Sequence, residues 1–356
     1  MSEEEGRHVR RKRYRGTHPR FFSEKYKEHD PQKYAEDLKQ VLARGDTPAG
    51  SHRPIMVREI LEALSPRPGE LAVDATLGYG GHASEILPKL LPGGRLYGFD
   101  RDPAELKRTT DRLRARVIPP DAPGDCFVPV AANFATLRDY FVALSIDGAD
   151  LILADLGLSS MQIDDPERGF SFKRKGPLDM RMNPEAGPSA RDFLAAVPEA
   201  VLRDALAANA DEAMAGEIAR AICLRRGQLA TTRDLAEAIC SAFPGLPFKD
   251  PEMTKTLRRC FQAIRIEVNA EFASLEAFLA GLPFCLKPGG RVAILSFHSG
   301  EDNRVEAAFT AGLAQGHYAS ISGDVIRPGH EERYGNPRSS SAKLRWAIRA
   351  QANLPR

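Results

Sequence analysis

Three aspartates, Asp74, Asp100 and Asp155, each close a short apolar run, and the first two bracket the turn Leu77-Gly78-Tyr79-Gly80-Gly81-His82. Glycines in such a turn let backbone N–H groups approach a ligand at the start of the following helix. By spacing alone, Gly78-x-Gly80-x-x-Ala83 also passes as a dinucleotide fingerprint, a weak signal without its surroundings. Asp74, four residues ahead of Gly78, separates the possibilities. A carboxylate there suits the cationic amino group of a methionine moiety and would repel a pyrophosphate. Asp100 ends the next apolar run, where a carboxylate takes both ribose hydroxyls, a feature shared with NAD enzymes. Together these residues point to S-adenosylmethionine, held by Asp74, Gly78, Gly80 and Asp100. Two plainer roles stay open: Asp74 as a strand-end acid capping nearby amides, and His82 as an ordinary first-turn residue.

Asp155 begins Asp155-Leu156-Gly157-Leu158-Ser159-Ser160, at the carboxyl end of an expected strand, where open α/β sheets bind ligands. An amino group conjugated to a pyrimidine is a poor nucleophile, and a carboxylate accepting its N–H bonds raises its reactivity. Asp155 is placed for that catalytic role or for holding cofactor, and the sequence does not separate the two. Met161 to Pro184 follows, 24 residues without periodicity, a length that in a compact domain signals function or disorder. It carries Arg168, Phe170, Phe172, Lys173, Arg174, Lys175 and Arg181. Aromatics among cations suit stacking a splayed base and holding its phosphates; the alternative is a loop whose two phenylalanines anchor it to the core. On a helix expected near 255–279, Arg258, Gln262, Arg265 and Asn269 share one polar face, either a wet side or one facing RNA or the cofactor cleft. His298 ends a later apolar run facing the same cleft, either as a structural residue or as an RNA contact.

The elements that must position these residues alternate. Leu71–Thr76 and Arg95–Asp100 read as strands flanking a helix at 83–91, one βαβ unit. Helices near 103–116 and 134–144 flank a strand near 126–131, and Asp150–Asp155 and Val292–Phe297 read as two more strands. This is a doubly wound parallel α/β sheet, Rossmann-like. Residues 318–326 and 343–350 read as an antiparallel hairpin on the sheet edge with no helix between them. More than 130 residues separate Asp155 from Val292, far beyond a crossover's need. Much of that stretch has helical period, and Thr231-Thr232-Arg233-Asp234 reads as a capping box. The expected organisation is a basic extension at 1–50, a sheet domain at 51–187 and 271–356, and an inserted helical domain at 188–270.

Among the 356 residues, 42 % are hydrophobic and the formal net charge is +2, so composition gives a globular core and total charge does not announce nucleic acid. Charge distribution says more: Arg7 to Lys27 holds nine Lys/Arg and one acid, an arm whose natural partner is phosphate. No apolar run approaches the ~20 residues a bilayer needs, and no apolar leader precedes the arm, so a cytoplasmic protein is expected, without a membrane. Five widely spaced cysteines suggest reduced thiols, and no cluster has metal-ligand spacing. The oligomeric state, monomer or homodimer, is left open.

Several stretches resemble the RsmH (MraW) family of 16S ribosomal RNA cytosine-N4 methyltransferases. They are His52–Met56, Asp74–His82, Phe99–Pro103, the long run DLGLSSMQIDDPERGFSFKRKGPLDMRMNP from Asp155 to Pro184, Phe261–Glu271, Pro288–Asp302 and Asn336–Arg345. They span residues 52 to 350, and the long run is highly specific. The resemblance implies a Rossmann-like methyltransferase with an inserted helical domain. It implies methyl transfer from S-adenosylmethionine to N4 of a cytidine, nucleotide 1402, in the decoding region of small-subunit rRNA. It also implies cofactor contacts at Gly80, Gly81, His82, Asp100, Phe134, Asp155 and Gln162, with Phe134 along the adenine. Gly300 stands where the family usually has leucine, and Asn209-Ala210-Asp211-Glu212 where Tyr-Gly-Glu-Glu is common. Two other readings remain: the same donor with another RNA or a protein amine as acceptor, and a non-catalytic rRNA-binding assembly factor.

Overall fold

The computed structural model describes residues 54–210 and 212–351. The basic extension expected at 1–50 lies outside the described residues, as does Asp211.

After α1 (Val57–Leu64), the chain forms β1 (Leu71–Asp74), α2 (Gly81–Leu90), β2 (Arg95–Asp100), α3 (Pro103–Arg116) and β3 (Phe127–Ala131). Then come α4 (Leu137–Ala143) and β4 (Ala149–Asp155). These strands are parallel, with β1 between β2 and β4 and β3 beyond β2. Chain order therefore reverses between β1 and β4, opening a crevice at their carboxyl ends. Asp74, Asp100 and Asp155 each end their strand there.

Period-2 alternation places neighbouring strand residues in different cores. Ala72, Leu96, Leu151, Leu153, Ala293 and Leu295 face α1, α2 and α3. Val73, Tyr97, Phe99, Ile152, Ala154, Val292 and Ile294 face the opposite side, where Phe141 of α4 packs. Both faces are covered, which is why these strands read as continuous apolar runs.

From β4 the chain runs through α5 (Ser160–Asp164), then α6 (Ala190–Ala196), α7 (Glu199–Ala210), α8 (Ala215–Leu224), α9 (Thr232–Cys240) and α10 (Pro251–Asn269). The helices from α6 to α10 build a separate apolar core around Leu194, Leu206, Ile218, Ile222, Ile239, Leu257 and Ile264. Thr231 caps α9 with Asp234 as its reciprocal partner. α11 (Glu271–Cys285) returns to the sheet, burying Leu275 and Phe278 against its second face. The single helix expected near 255–279 is thus two helices, broken at Ala270, whose φ of 48° is left-handed. Helical periodicity ran through the break because buried apolar residues keep helical spacing on both sides of it, Leu257, Phe261 and Ile264 before and Leu275, Phe278 and Leu282 after.

β5 (Leu286–Ser296) pairs parallel with β4. After α12 (Ser299–Ala314) come β6 (Tyr318–Ile321), α13 (His330–Gly335) and β7 (Lys343–Arg349). β7 pairs antiparallel with β5 on one side and β6 on the other, giving the order β3-β2-β1-β4-β5-β7-β6. The antiparallel pair forms as the sequence suggests, but a helix does lie between its strands and the last strand is inserted rather than at the edge. No helix among the described residues is long and apolar enough to cross a membrane.

Candidate cofactor and acceptor site

At the end of β1, Asp74 is 2 % exposed, and its Oδ1 accepts from the backbone N–H of Thr76 at 3.1 Å. Thr76 Oγ1 accepts the N–H of Asp155 at 2.6 Å, tying the ends of β1 and β4 together. Burial pushes Asp74 up to about 7, with His82 pulling the other way. A cation placed beside so desolvated a carboxyl favours its ionised form and lowers its pKa again.

The turn after β1 is held from two sides. Gly78 N–H donates to Asp100 Oδ2 at 2.8 Å, and Thr109 Oγ1 donates to the Gly78 carbonyl at 2.6 Å. Arg112 donates to the Tyr79 carbonyl, and its guanidinium lies 3.3 Å above the Tyr79 ring. Gly80 begins α2 at φ 73°, and a Cβ there would sit 2.7 Å from Thr109 Cγ2. Only glycine satisfies both the left-handed backbone and that close approach. Asp100 Oδ1 also accepts the N–H of Asp102 at 2.8 Å, and burial lifts Asp100 to about 6.

His82 is 6 % exposed, in the first turn of α2. Its Nε2 meets the Ile55 carbonyl at 3.0 Å, and its Nδ1 lies 3.5 Å from Asp155 Oδ2. Burial lowers its pKa. The Asp155 side chain is 30 % exposed, while its Oδ1 is buried without a hydrogen-bond donor. Burial, with Glu301 adding repulsion, raises Asp155 to about 7. Asp155 therefore keeps acceptor capacity that the protein leaves unfilled. Phe134 follows β3 and is partly buried, its ring edge-on to Phe278 with centroids 5.2 Å apart.

These residues fit S-adenosylmethionine: a buried carboxyl for its ammonium, an end-of-strand carboxyl for its ribose, a glycine turn and an aromatic edge. Asp74, Gly78, Gly80, Gly81, His82, Asp100 and Asp155 are linked by hydrogen bonds, covalent neighbours or the His82–Asp155 contact. Gln162 belongs to the segment leaving β4. Its Oε1 accepts the Ser159 N–H while Ser159 Oγ accepts the Gln162 N–H, a capping box that starts α5.

The segment expected to hold a base is folded differently from an open stacking loop. Phe170 is 8 % exposed within the helical core, and Phe172 packs edge-on against Phe261 at 5.5 Å. Both are anchors, because the segment needs apolar contacts to lie on the helical layer. Arg168 is likewise structural. It pairs with Asp102 at 2.7 Å and donates to the carbonyls of Arg181 and Met182 at 3.0 and 2.8 Å. Arg181 pairs with Asp179 at 2.6 Å. Lys173, Arg174 and Lys175 form an exposed tip, fastened where Thr232 Oγ1 donates to the Arg174 carbonyl at 2.9 Å. Arg258 is exposed, whereas Arg265 is clamped by Glu271 at 2.7 and 2.8 Å. His298 Nε2 lies 3.2 Å from Glu301 Oε1, and Glu301 Oε2 receives the Phe297 N–H at 2.8 Å.

Four residues that sequence reasoning gave no such role organise the site. Thr76 joins the two strand ends. Thr109 fits against Gly80. Arg101 donates to the Asn269 carbonyl at 2.9 Å. Asn269, read only as part of a polar face, accepts the Met182 N–H at 2.7 Å and donates to the Met180 carbonyl at 2.8 Å. Its burial, 3 % exposed, is invisible in a helical wheel that places it among arginines.

A family model described as the MraW methylase family matches residues 49–350. Ribosomal RNA small subunit methyltransferase H 1 of Lachnoclostridium phytofermentans is 46 % identical over 348 residues, 96 % of this chain and 93 % of that one. Ribosomal RNA small subunit methyltransferase H of Rubrobacter xylanophilus is 40 % identical over 316 residues, 85 % of this chain and 96 % of that one. Among solved structures, a putative rRNA-methylase from Clostridium thermocellum aligns at 12 % identity and a TM-score of 0.38, covering 82 % of this chain and 94 % of that one. On the extent and strength of the sequence matches, the chain belongs to the MraW methylase family.

Proposed function

We propose that this protein transfers a methyl group from S-adenosylmethionine to the exocyclic N4 of a cytidine, nucleotide 1402, in the decoding region of 16S rRNA on the small ribosomal subunit, in the cytoplasm. The observation that carries this is Asp155. It is a carboxyl at the β1/β4 crevice with an unfilled acceptor oxygen and a pKa near 7, on the strand end that leads into the segment most specific to the family. The relatives' names, ribosomal RNA small subunit methyltransferase, support the substrate class.

When bound, S-adenosylmethionine supplies an electrophilic methyl group on a sulfonium. Asp74 would hold the donor's ammonium, Asp100 its ribose hydroxyls and Phe134 its adenine. The Gly78–His82 turn brings backbone N–H groups close. Asp155 accepts an N–H of the acceptor amine, drawing electron density onto nitrogen as its charge rises in the transition state. The exposed tip Lys173–Lys175 and Arg258 are positioned on the surface for phosphates. Phe170, Phe172 and Arg168 shape that surface from beneath.

The test is methyl incorporation into small subunits that lack the mark, with the modified nucleotide mapped by mass spectrometry. A methyl group on N4 of cytidine 1402 supports the proposal; one on another nucleotide or on a protein amine overturns it. Asp155→Asn keeps donor binding by calorimetry and lowers kcat by roughly a hundredfold or more, the usual size of a lost acid–base group.

A further inference from the structure

His82 presents two ring nitrogens to two oxygen atoms on opposite sides. Nε2 faces the Ile55 carbonyl at 3.0 Å, an acceptor only, so Nε2 carries a hydrogen. In a neutral ring Nδ1 is then a bare lone pair, and it faces Asp155 Oδ2 at 3.5 Å. An ionised Asp155 would point a second lone pair at it, and burial leaves little solvent to relieve the repulsion. One proton between the two groups removes the conflict, whether it sits on the carboxyl or on the imidazole. The other ionisable groups facing His82 are Asp74 from β1, Glu85 from its own helix and Glu332 from α13. Glu301 from α12 faces Asp155. The three acids around His82 favour a proton on the ring while burial, the larger influence, opposes it; burial and Glu301 both favour a proton on the carboxyl.

We infer that His82 is a positioning residue for Asp155: the pair shares one proton in the resting protein, and His82 retains it as imidazolium while Asp155 receives the proton lost by the acceptor amine. This rests on the methyl-transfer reading above. In the transfer, the amine nitrogen's lone pair forms the N–C bond, the C–S bond breaks with its electrons passing to sulfur, and one N–H proton passes to the Asp155 carboxylate. Solvent takes that proton once product leaves, which returns the pair to its single shared proton. The pKa of Asp155, near 7, suits both halves of that cycle. His82 thus acts through Asp155 and need not touch the methyl donor with its ring.

The experiment follows the imidazole nitrogen-15 resonances of His82 in the donor-free protein between about pH 5 and pH 9, in wild type and in Asp155→Asn. The expected result is a protonated Nε2 throughout, and a wild-type Nδ1 shift intermediate between protonated and bare that moves with pH. In Asp155→Asn, Nδ1 becomes bare and independent of pH. Identical Nδ1 behaviour in the two proteins overturns the inference. In turnover, His82→Phe lowers kcat by about a hundredfold while KM for RNA changes by less than about twofold, and His82→Asn, which restores a donor near the Nδ1 position, recovers most of the loss. An equal fall in His82→Asn and His82→Phe also overturns it. If RNA methylation is absent but Nδ1 responds to Asp155→Asn, the functional proposal fails and the shared proton stands.

Discussion

Position 300 shows how one residue's size is set by its neighbours. A Cβ there would sit 2.7 Å from Phe272 Cζ and 3.2 Å from His298 Nδ1, so a larger side chain has no room beside this chain's phenylalanine. Phe272 in turn lies 3.8 Å beneath the Arg304 guanidinium and 5.8 Å from the His298 ring. Gly300→Ala should therefore destabilise the protein by about 1–3 kcal/mol through overpacking, measured by urea unfolding. Gly300→Ala in a Phe272→Ala background should cost much less than in wild type. Equal costs in the two backgrounds would show that the ring is not the obstacle. The aspartates were legible in sequence because each terminates a strand pattern. The packing of Phe272 on residue 300 was not, since two helices twenty-eight residues apart in sequence meet only in three dimensions.

Among the elements, the Asp155–Pro184 segment was recognisable as a unit by its lack of periodicity, but the direction of its aromatic residues was not. Period-free sequence does not say which side is buried, and Phe170 turned inward. Two clasps hold the segment. Asn269, at the end of α10, grips the backbone at Met180 and Met182. Arg168 bridges Asp102, the N-cap of α3, to the carbonyls of Arg181 and Met182. Asp102 lies two residues from Asp100, so the segment is fastened to the carboxyl end of β2. Arg168→Ala leaves a buried carboxylate with its cation removed, and should lower stability by roughly 3 kcal/mol. It should also weaken donor binding, because Arg168 is one of the charges that keep Asp100 ionised. Unfolding and calorimetry check the two effects; a stability loss with unchanged donor affinity would separate the clasp from the ribose site.

For the whole molecule, the crevice carries a stored electrostatic cost. Asp74 and Asp155 are raised to about 7 and Asp100 to about 6, from an ordinary value of 3.8. Folded protein thus holds protons that the unfolded chain has already lost. The stabilisation is complete below about pH 4 and is lost as pH climbs through 6 and 7. Glu301 and Asp302 are shifted downward, and their contribution is lost as pH falls below the ordinary carboxylate range, outside this window. The donor-free protein should therefore melt at progressively lower temperature between pH 5 and pH 7.5, and Asp74→Asn should flatten that fall. Donor affinity should rise over the same interval, since its ammonium needs an ionised Asp74. A melting temperature that does not change with pH would refute the burial argument. The parallel strands and their helices followed from alternating patterns in the sequence, and the helices between β4 and β5 from helical period. The final strand's place inside the sheet did not, because no local signal says which neighbour a strand will choose.

That last placement has a consequence for biosynthesis. β6 has β7 as its hydrogen-bonded neighbour in the sheet, and β7 also covers one side of β5. Until Lys343–Arg349 has cleared the ribosome, both earlier strands expose raw backbone edges, ready templates for aberrant association. A premature stop just ahead of Lys343 should yield aggregated product even though every residue of the crevice has been translated, and soluble, donor-binding material from such a truncation would show that the edge can wait.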